Sequence, residues 1–200
     1  MSKINALCVY CGSSPGTDPA FVAAAQSFGK ILADNDVRLI YGGGSVGLMG
    51  ALAQAVLKHG GKATGVIPEF LVRRERPRED RVEQVVVPDM HARKRTMFER
   101  ADGFVALPGG LGTLEEMVEQ LTWAQLGRHK KPILIANING YWNPLLVLID
   151  HMRAVKFVPS AFDVEFLVAS DVEEILPKLR AAARQIAEPE KTMAVPAERL

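Results

Sequence analysis

Cysteine is nearly absent. The 200 residues hold two, both in Cys8-Val9-Tyr10-Cys11, so no multi-bridge disulfide framework holds this chain. A redox dithiol uses the same spacing, but it needs a cysteine at a helix N-terminus, where the thiol pKa falls. Cys8 lies inside an apolar, strand-like run and Cys11 closes it, which favours buried or loop-lining thiols. A second cysteine pair is missing, and His59, His91, His129 and His151 are scattered, so no metal set is spelled out. An excess of one charge is missing as well. Twenty-four Lys and Arg face 23 Asp and Glu, a net charge of +1, which argues against a general nucleic-acid or membrane-surface binder. No apolar run approaches the roughly 18 residues of a membrane span. Met1-Ser2-Lys3-Ile4-Asn5 leads straight into a strand-like run without a secretory pattern, so a cytoplasmic address is expected.

What is present is alternation. Strand-like runs at Ala6–Tyr10, Arg38–Tyr41, Thr64–Ile67, Glu83–Val87, Phe104–Leu107 and Ile133–Ala136 are separated by helix-period segments near 19–34, 46–59, 89–101, 112–126, 142–154 and 171–186. Continuous apolar strands between helices predict an α/β fold: a doubly wound parallel sheet in a three-layer α/β/α sandwich. One domain over 1–186 and a loose tail over 187–200 are expected. The mixed-charge stretch from Arg73 to Arg81 reads as a solvated loop or flap. In such sheets ligands bind at the carboxyl ends of the strands. The polar, glycine-bearing loops fall there: Gly12-Ser13-Ser14, Gly42-Gly43-Gly44-Ser45, and Pro108-Gly109-Gly110. Together they predict a phosphate cradle, with Gly12, Ser13, Ser14, Gly43, Gly44 and Ser45 as its candidates.

The most informative stretch is Pro108-Gly109-Gly110-Leu111-Gly112-Thr113-Leu114-Glu115-Glu116. Glycines let a backbone approach an anion, and a new helix N-terminus offers unpaired N–H groups and a positive dipole end. Two carboxylates in the first turn suit the dipole, which is the ordinary account. Beside an anion cradle they suggest chemistry on the rest of the ligand. On this helix Leu114, Met117, Val118 and Leu121 form the expected apolar face, and Trp123, opposite them, suggests cover by another subunit. In Asp89-Met90-His91-Ala92-Arg93-Lys94, Asp89 is a helix N-cap candidate. Arg93 shares an apolar stripe with Met90 and Met97, so it either snorkels to a structural carboxylate or points into a pocket at an anionic group. Gly42-x-Gly44-x-x-Gly47, with Glu69 downstream, fits the dinucleotide fingerprint. Its place on the second strand, and the little room for a substrate domain, weigh against a nicotinamide dehydrogenase.

At these residues the chain resembles the LOG ("lonely guy") family, the cytokinin riboside 5′-monophosphate phosphoribohydrolases. The likeness runs from about Ala6 to Leu179. It rests on the Pro108 to Glu116 motif, on Met90-His91-Ala92-Arg93-Lys94, and on Cys11-Gly12-Ser13-Ser14, Gly42 to Gly50 and Thr122-Trp123-Ala124-Gln125-Leu126-Gly127. Leu111 departs from the aromatic usual at that place, which bears on contacts with the base. The resemblance implies a Rossmann-like homodimer that cleaves a nucleoside 5′-monophosphate, of a cytokinin or AMP, into free base and ribose 5-phosphate, without metal or cofactor. It implies Arg93 and Glu116 as catalytic. Substrate contacts would fall on Glu75, Arg93, Lys94, Gly109, Gly110, Leu111, Gly112, Thr113, Leu114, Glu115, Glu116 and Thr122. The family often carries the label lysine decarboxylase, yet no pyridoxal-phosphate site is recognisable here. From the residues alone, a non-catalytic nucleotide-binding module stays open as the alternative. Met90, Met97, Leu111 and Trp123 are the candidate apolar linings for a prenylated base.

Overall fold

Every strand but one edge strand is apolar on both faces, and the fold follows from that. The computed structural model describes residues 4–72, 82–158 and 165–187. Its strands are β1 (Ala6–Tyr10), β2 (Arg38–Tyr41), β3 (Ala63–Pro68), β4 (Glu83–Val87), β5 (Gly103–Ala106), β6 (Ile133–Ala136) and β7 (Leu167–Ala169). They form one sheet in the order β4-β3-β2-β1-β5-β6-β7, and every pairing is parallel. Side chains alternate between faces along each strand. Leu7, Val9, Leu39, Tyr41, Val105 and Leu134 therefore join one core layer, while Cys8, Tyr10, Ile40 and Phe104 join another.

Helices α1 (Pro19–Asp34), α2 (Gly47–Lys58) and α6 (Ile175–Ala187) supply Phe28, Leu32, Leu52, Val56, Ile175 and Leu179 to the first layer. On the opposite face, α3 (Met90–Arg100) brings Met97 and α4 (Leu111–Gln125) brings Met117, with α5 (Asn143–Ala154) packed nearby through Leu145 and Leu146. Residues covered from both sides identify a Rossmann-like α/β sandwich. Asp18 caps α1 by accepting from the Ala20 N–H at 2.9 Å, and Asp89 caps α3 by accepting from Ala92 at 2.8 Å.

Two expectations need correction. Leu167-Val168-Ala169 forms a seventh strand, too short to show a period, and the last helix starts at Ile175 after a 3₁₀ turn over Val172–Glu174. The chain runs outward from β1 to β4, then returns to β5 on the other side of β1. The order reverses between β1 and β5, which opens the crevice where such sheets bind ligands. Both loops meet there: Leu107 donates to the Tyr10 carbonyl at 2.9 Å, and Gly12 donates to the Pro108 carbonyl at 3.1 Å. Among the described residues, no helix is long and apolar enough to cross a membrane.

Candidate active site

The crevice holds a cavity of about 270 Å³ lined by residues of β1 and its loop, by Gly42 and Met49, by Arg93, and by Gly110, Leu111, Gly112, Thr113 and Glu116. Helix α4 begins at this cavity with Gly110 as its N-cap, and no side chain caps it. The first internal bond of the helix is Leu114 N–H to the Gly110 carbonyl at 3.0 Å. The amides of Leu111, Gly112 and Thr113 are thus left for a ligand at the positive end of the helix dipole. Gly109 cannot carry a side chain, because a Cβ there would lie 2.2 Å from the Thr113 hydroxyl and 2.8 Å from the Gly12 nitrogen. Tyr141, from the connection before α5, donates its phenol to the Gly109 carbonyl and ties the loop down.

The second glycine loop works differently. Leu48 and Met49, in the first turn of α2, donate to the Gly12 carbonyl at 3.0 and 3.3 Å. Two amides that could have met a phosphate are already satisfied. Gly43 packs on Gly65 and Ile67, and Gly44 packs on Met49. Gly43, Gly44 and Ser45 therefore do not line the cavity, which corrects their placing in the cradle; Gly42 lines it instead. Gly12 and Ser13 lie in the lining, whereas Ser14 lies in an adjoining hollow beside Phe21, Leu48 and Tyr141.

Gly42 is there because of Arg93. A Cβ on Gly42 would sit 2.0 Å from one guanidinium nitrogen. Arg93 is only 7% exposed; its Nε donates to the Val66 carbonyl at 3.1 Å and its Nη2 to the Gly42 carbonyl at 3.0 Å. Among the described residues it makes no salt bridge. Two backbone carbonyls hold a buried cation whose charge remains available to the cavity, which decides against a surface-seeking arginine.

Glu116 meets that charge. Burial pushes its carboxyl from 4.5 up to about 7, against the pull of Arg93, with Glu115 raising it further and Lys94 opposing. On the other flank the Lys94 ammonium is bound by Glu115 at 2.5 Å and by Glu119 at 3.0 Å. Burial lowers the Lys94 pKa, but its bonds to the two carboxylates win and it ends above the usual value. Cys8, Cys11 and Tyr10 are buried beneath, and desolvation holds all three protonated well past neutrality. The thiols are inert wall rather than a redox pair.

The remaining sequence candidates disperse. Leu114 turns into the core with Met117, and Thr122 bonds back to the Val118 carbonyl at 2.8 Å, outside the cavity lining. Glu115 reaches the site only through Lys94. Val118, expected in the apolar face, is 43% exposed. Trp123 stays half-buried, edge-on to Phe98 at 5.1 Å with the Arg128 guanidinium 4.4 Å from its ring. Of the apolar linings foreseen for a base, Met97 is core, Met90 lies against Arg93, and Leu111 alone lines the cavity. Glu75 lies outside the described residues. Tyr10 and Met49 were not foreseen, and Gly42 was foreseen only as part of its loop; Tyr10 stands at a strand end, the one signal that could have found it.

Fold and site together define a doubly wound α/β protein whose uncapped helix end opens on a cavity shared by the buried Arg93 and the Glu116 carboxyl. The family model described as "Possible lysine decarboxylase" matches residues 49–179. Rice "Probable cytokinin riboside 5′-monophosphate phosphoribohydrolase LOG4" is 45% identical over 90% of this chain and 78% of its own length. Arabidopsis thaliana "Cytokinin riboside 5′-monophosphate phosphoribohydrolase LOG7" is 45% identical over 89% of this chain and 82% of its own. The chain belongs to this family, the LOG family. Among solved structures, a molybdenum cofactor binding protein from Rippkaea orientalis superposes with a TM-score of 0.67 at 22% identity, over 90% of this chain and 98% of that one. A molybdenum cofactor carrier protein from Chlamydomonas reinhardtii gives 0.65 at 21% identity, over 91% and 99%. At such identities these two speak for the fold alone.

Proposed function

We propose that this protein hydrolyses the N-glycosidic bond of cytokinin riboside 5′-monophosphates, and of AMP as a second substrate, releasing free base and ribose 5-phosphate. The observation that carries the reading is the Glu116 carboxyl, held near pH 7 beside the uncompensated Arg93 charge, in a cavity whose wall is an uncapped helix end. The 5′-phosphate rests on the amides of Leu111, Gly112 and Thr113. That places the ribose one turn along α4, at Glu116. As the C1′–N bond breaks, its electron pair leaves with the base and the sugar becomes an oxocarbenium ion. A carboxylate stabilises that cation more than the neutral ground state. Water adds to C1′ and gives its proton to Glu116, from which it passes to the departing base nitrogen, so that neutral base leaves and the carboxylate is restored, while Arg93 orients the carboxylate and the sugar.

The same reading extends to the molecule as a whole: one domain over 1–186, a cytoplasmic address, and a homodimer. Supporting the dimer, α5 contributes no fully buried residue and exposes Val147 and Leu148, while α4 exposes Leu111 and Val118. Of the expected tail over 187–200, residues 188–200 lie outside the described residues.

The test is free-base release from isopentenyladenosine 5′-monophosphate and from AMP. The Glu116→Gln variant should lose roughly 10²–10⁴ in turnover while staying folded, the usual scale for loss of a general base. Nucleotide binding without any release of base from either compound would instead make the protein a non-catalytic nucleotide-binding module.

A further inference from the structure

Glu119 has no role in the reaction as derived so far, yet its placing is costly. Its Oε1 accepts from Lys94 at 3.0 Å, while its Oε2 is buried with no hydrogen-bond partner among the described residues. A buried oxygen left unpaired is costly, and more so when the group is charged. Neutralising Lys94 does not require that cost, because Glu115 already bonds the ammonium at 2.5 Å from a more exposed position. Lys94 is itself only 11% exposed and follows Arg93 directly on α3, so it is within electrostatic reach of Glu116.

We propose that Glu119 is a positioning residue: with Glu115 it holds the Lys94 ammonium away from Glu116, whose carboxyl stays out of an ion pair and open to the substrate. The inference rests on the hydrolase reading above. The charged and titratable groups acting on Glu116 are Arg93 and Lys94 from α3 and Glu115 and Glu119 from α4, with the buried Cys8, Tyr10 and Cys11 on the β1 side. Glu119 is three residues beyond Glu116, on a neighbouring position of the same helix. Its negative charge opposes ionisation of Glu116 and therefore helps hold the carboxyl up, as Glu115 does.

The experiment uses the full chain with Glu119→Gln, which keeps shape and removes charge, and Glu119→Asp, which restores charge on a shorter arm. The pH dependence of kcat/KM for isopentenyladenosine 5′-monophosphate is followed from pH 5.5 to 9. With the ionised Glu116 as base, the rate of the native protein climbs through about pH 7. In Glu119→Gln the climb moves to lower pH, and the ratio of kcat/KM at pH 6 to that at pH 8 rises roughly threefold, the equivalent of half a pH unit. Glu119→Asp moves it back. Carboxyl carbon NMR of Glu116 in labelled protein reads the same displacement without turnover. It decides this inference even if no nucleotide is hydrolysed. A Glu119→Gln protein with an unmoved NMR midpoint, or with activity lowered equally at every pH, overturns the proposal.

Discussion

Helices α2 and α4 open from similar sequences and do opposite things. Each follows an apolar strand, each is preceded by glycines, and neither N-cap makes a side-chain hydrogen bond. At α2 the Gly12 carbonyl fills the space and accepts from Leu48 and Met49. At α4 nothing comparable arrives among the described residues, and the first turn lines the cavity. The difference lies in the sheet order. β1 is flanked by β2 and β5, and its loop must lie over one neighbouring helix start while leaving the other open. A glycine-rich turn thus becomes an anion site only where topology withholds its cap. The α2 end is structural glue, and the α4 end is where the proposed chemistry sits.

Breaking the closed end should cost stability. Gly47 opens α2 at φ +61°, and a Cβ there would lie 2.3 Å from the Ser13 backbone carbon, which cannot swing aside as a side chain could. Gly47→Ala should lower unfolding free energy by about 3 kcal/mol or more, from left-handed strain plus the clash. Urea unfolding measures it. A loss below 1 kcal/mol would mean that the two loops are not locked together.

The open end should show the reverse, a stability already given up to chemistry. Glu116 titrates near 7 in the fold against 4.5 as an ordinary carboxyl. Below pH 4.5 it is protonated in both states and contributes nothing. As pH rises to 7 the unfolded chain ionises first and binds fewer protons, so the native state loses stability; above 7 the loss levels off. The full loss is on the order of 3 kcal/mol. Glu116→Gln should therefore be more stable than the native sequence at pH 8, by an amount that shrinks toward zero at pH 4.5. Thermal unfolding across that range checks the sign. A variant equally stable relative to the native chain at both ends would refute the account.

Much of this was legible before any coordinates. Continuous apolar runs specified β1, β2 and β6 to the residue, because strands covered on both faces leave an unbroken signal, and the exposed edge strand β4 was bounded by its valine run. Asp89 marked its helix start because a cap is a local device. Glycine roles were not legible. Gly42 exists to admit a guanidinium from a residue 51 positions on, and Gly43 and Gly44 pack against protein where a phosphate was expected. The contacts of Trp123 were illegible for the same reason: the Phe98 ring it meets edge-on lies on another helix. A sequence pattern identifies a glycine turn; only tertiary approach decides what fills the space.

The sharpest form of the contrast is the smallest change. At Gly110 the backbone has φ −88°, open to any residue, and a Cβ there meets nothing within 4 Å. Gly110→Ala should leave unfolding free energy within about 0.5 kcal/mol of the native value, as a substitution free of strain and clash does. Yet Gly110 lines the cavity proposed to take the phosphate, and a methyl group there would displace an anion from the amides beyond it. KM should rise about tenfold, with kcat nearly kept, since phosphate binding is shared by ground and transition states. A fall in kcat at unchanged KM would put Gly110 beside the reacting bond instead. Unaltered kinetics would move the phosphate off α4 altogether, and with it the assignment of the sugar to Glu116.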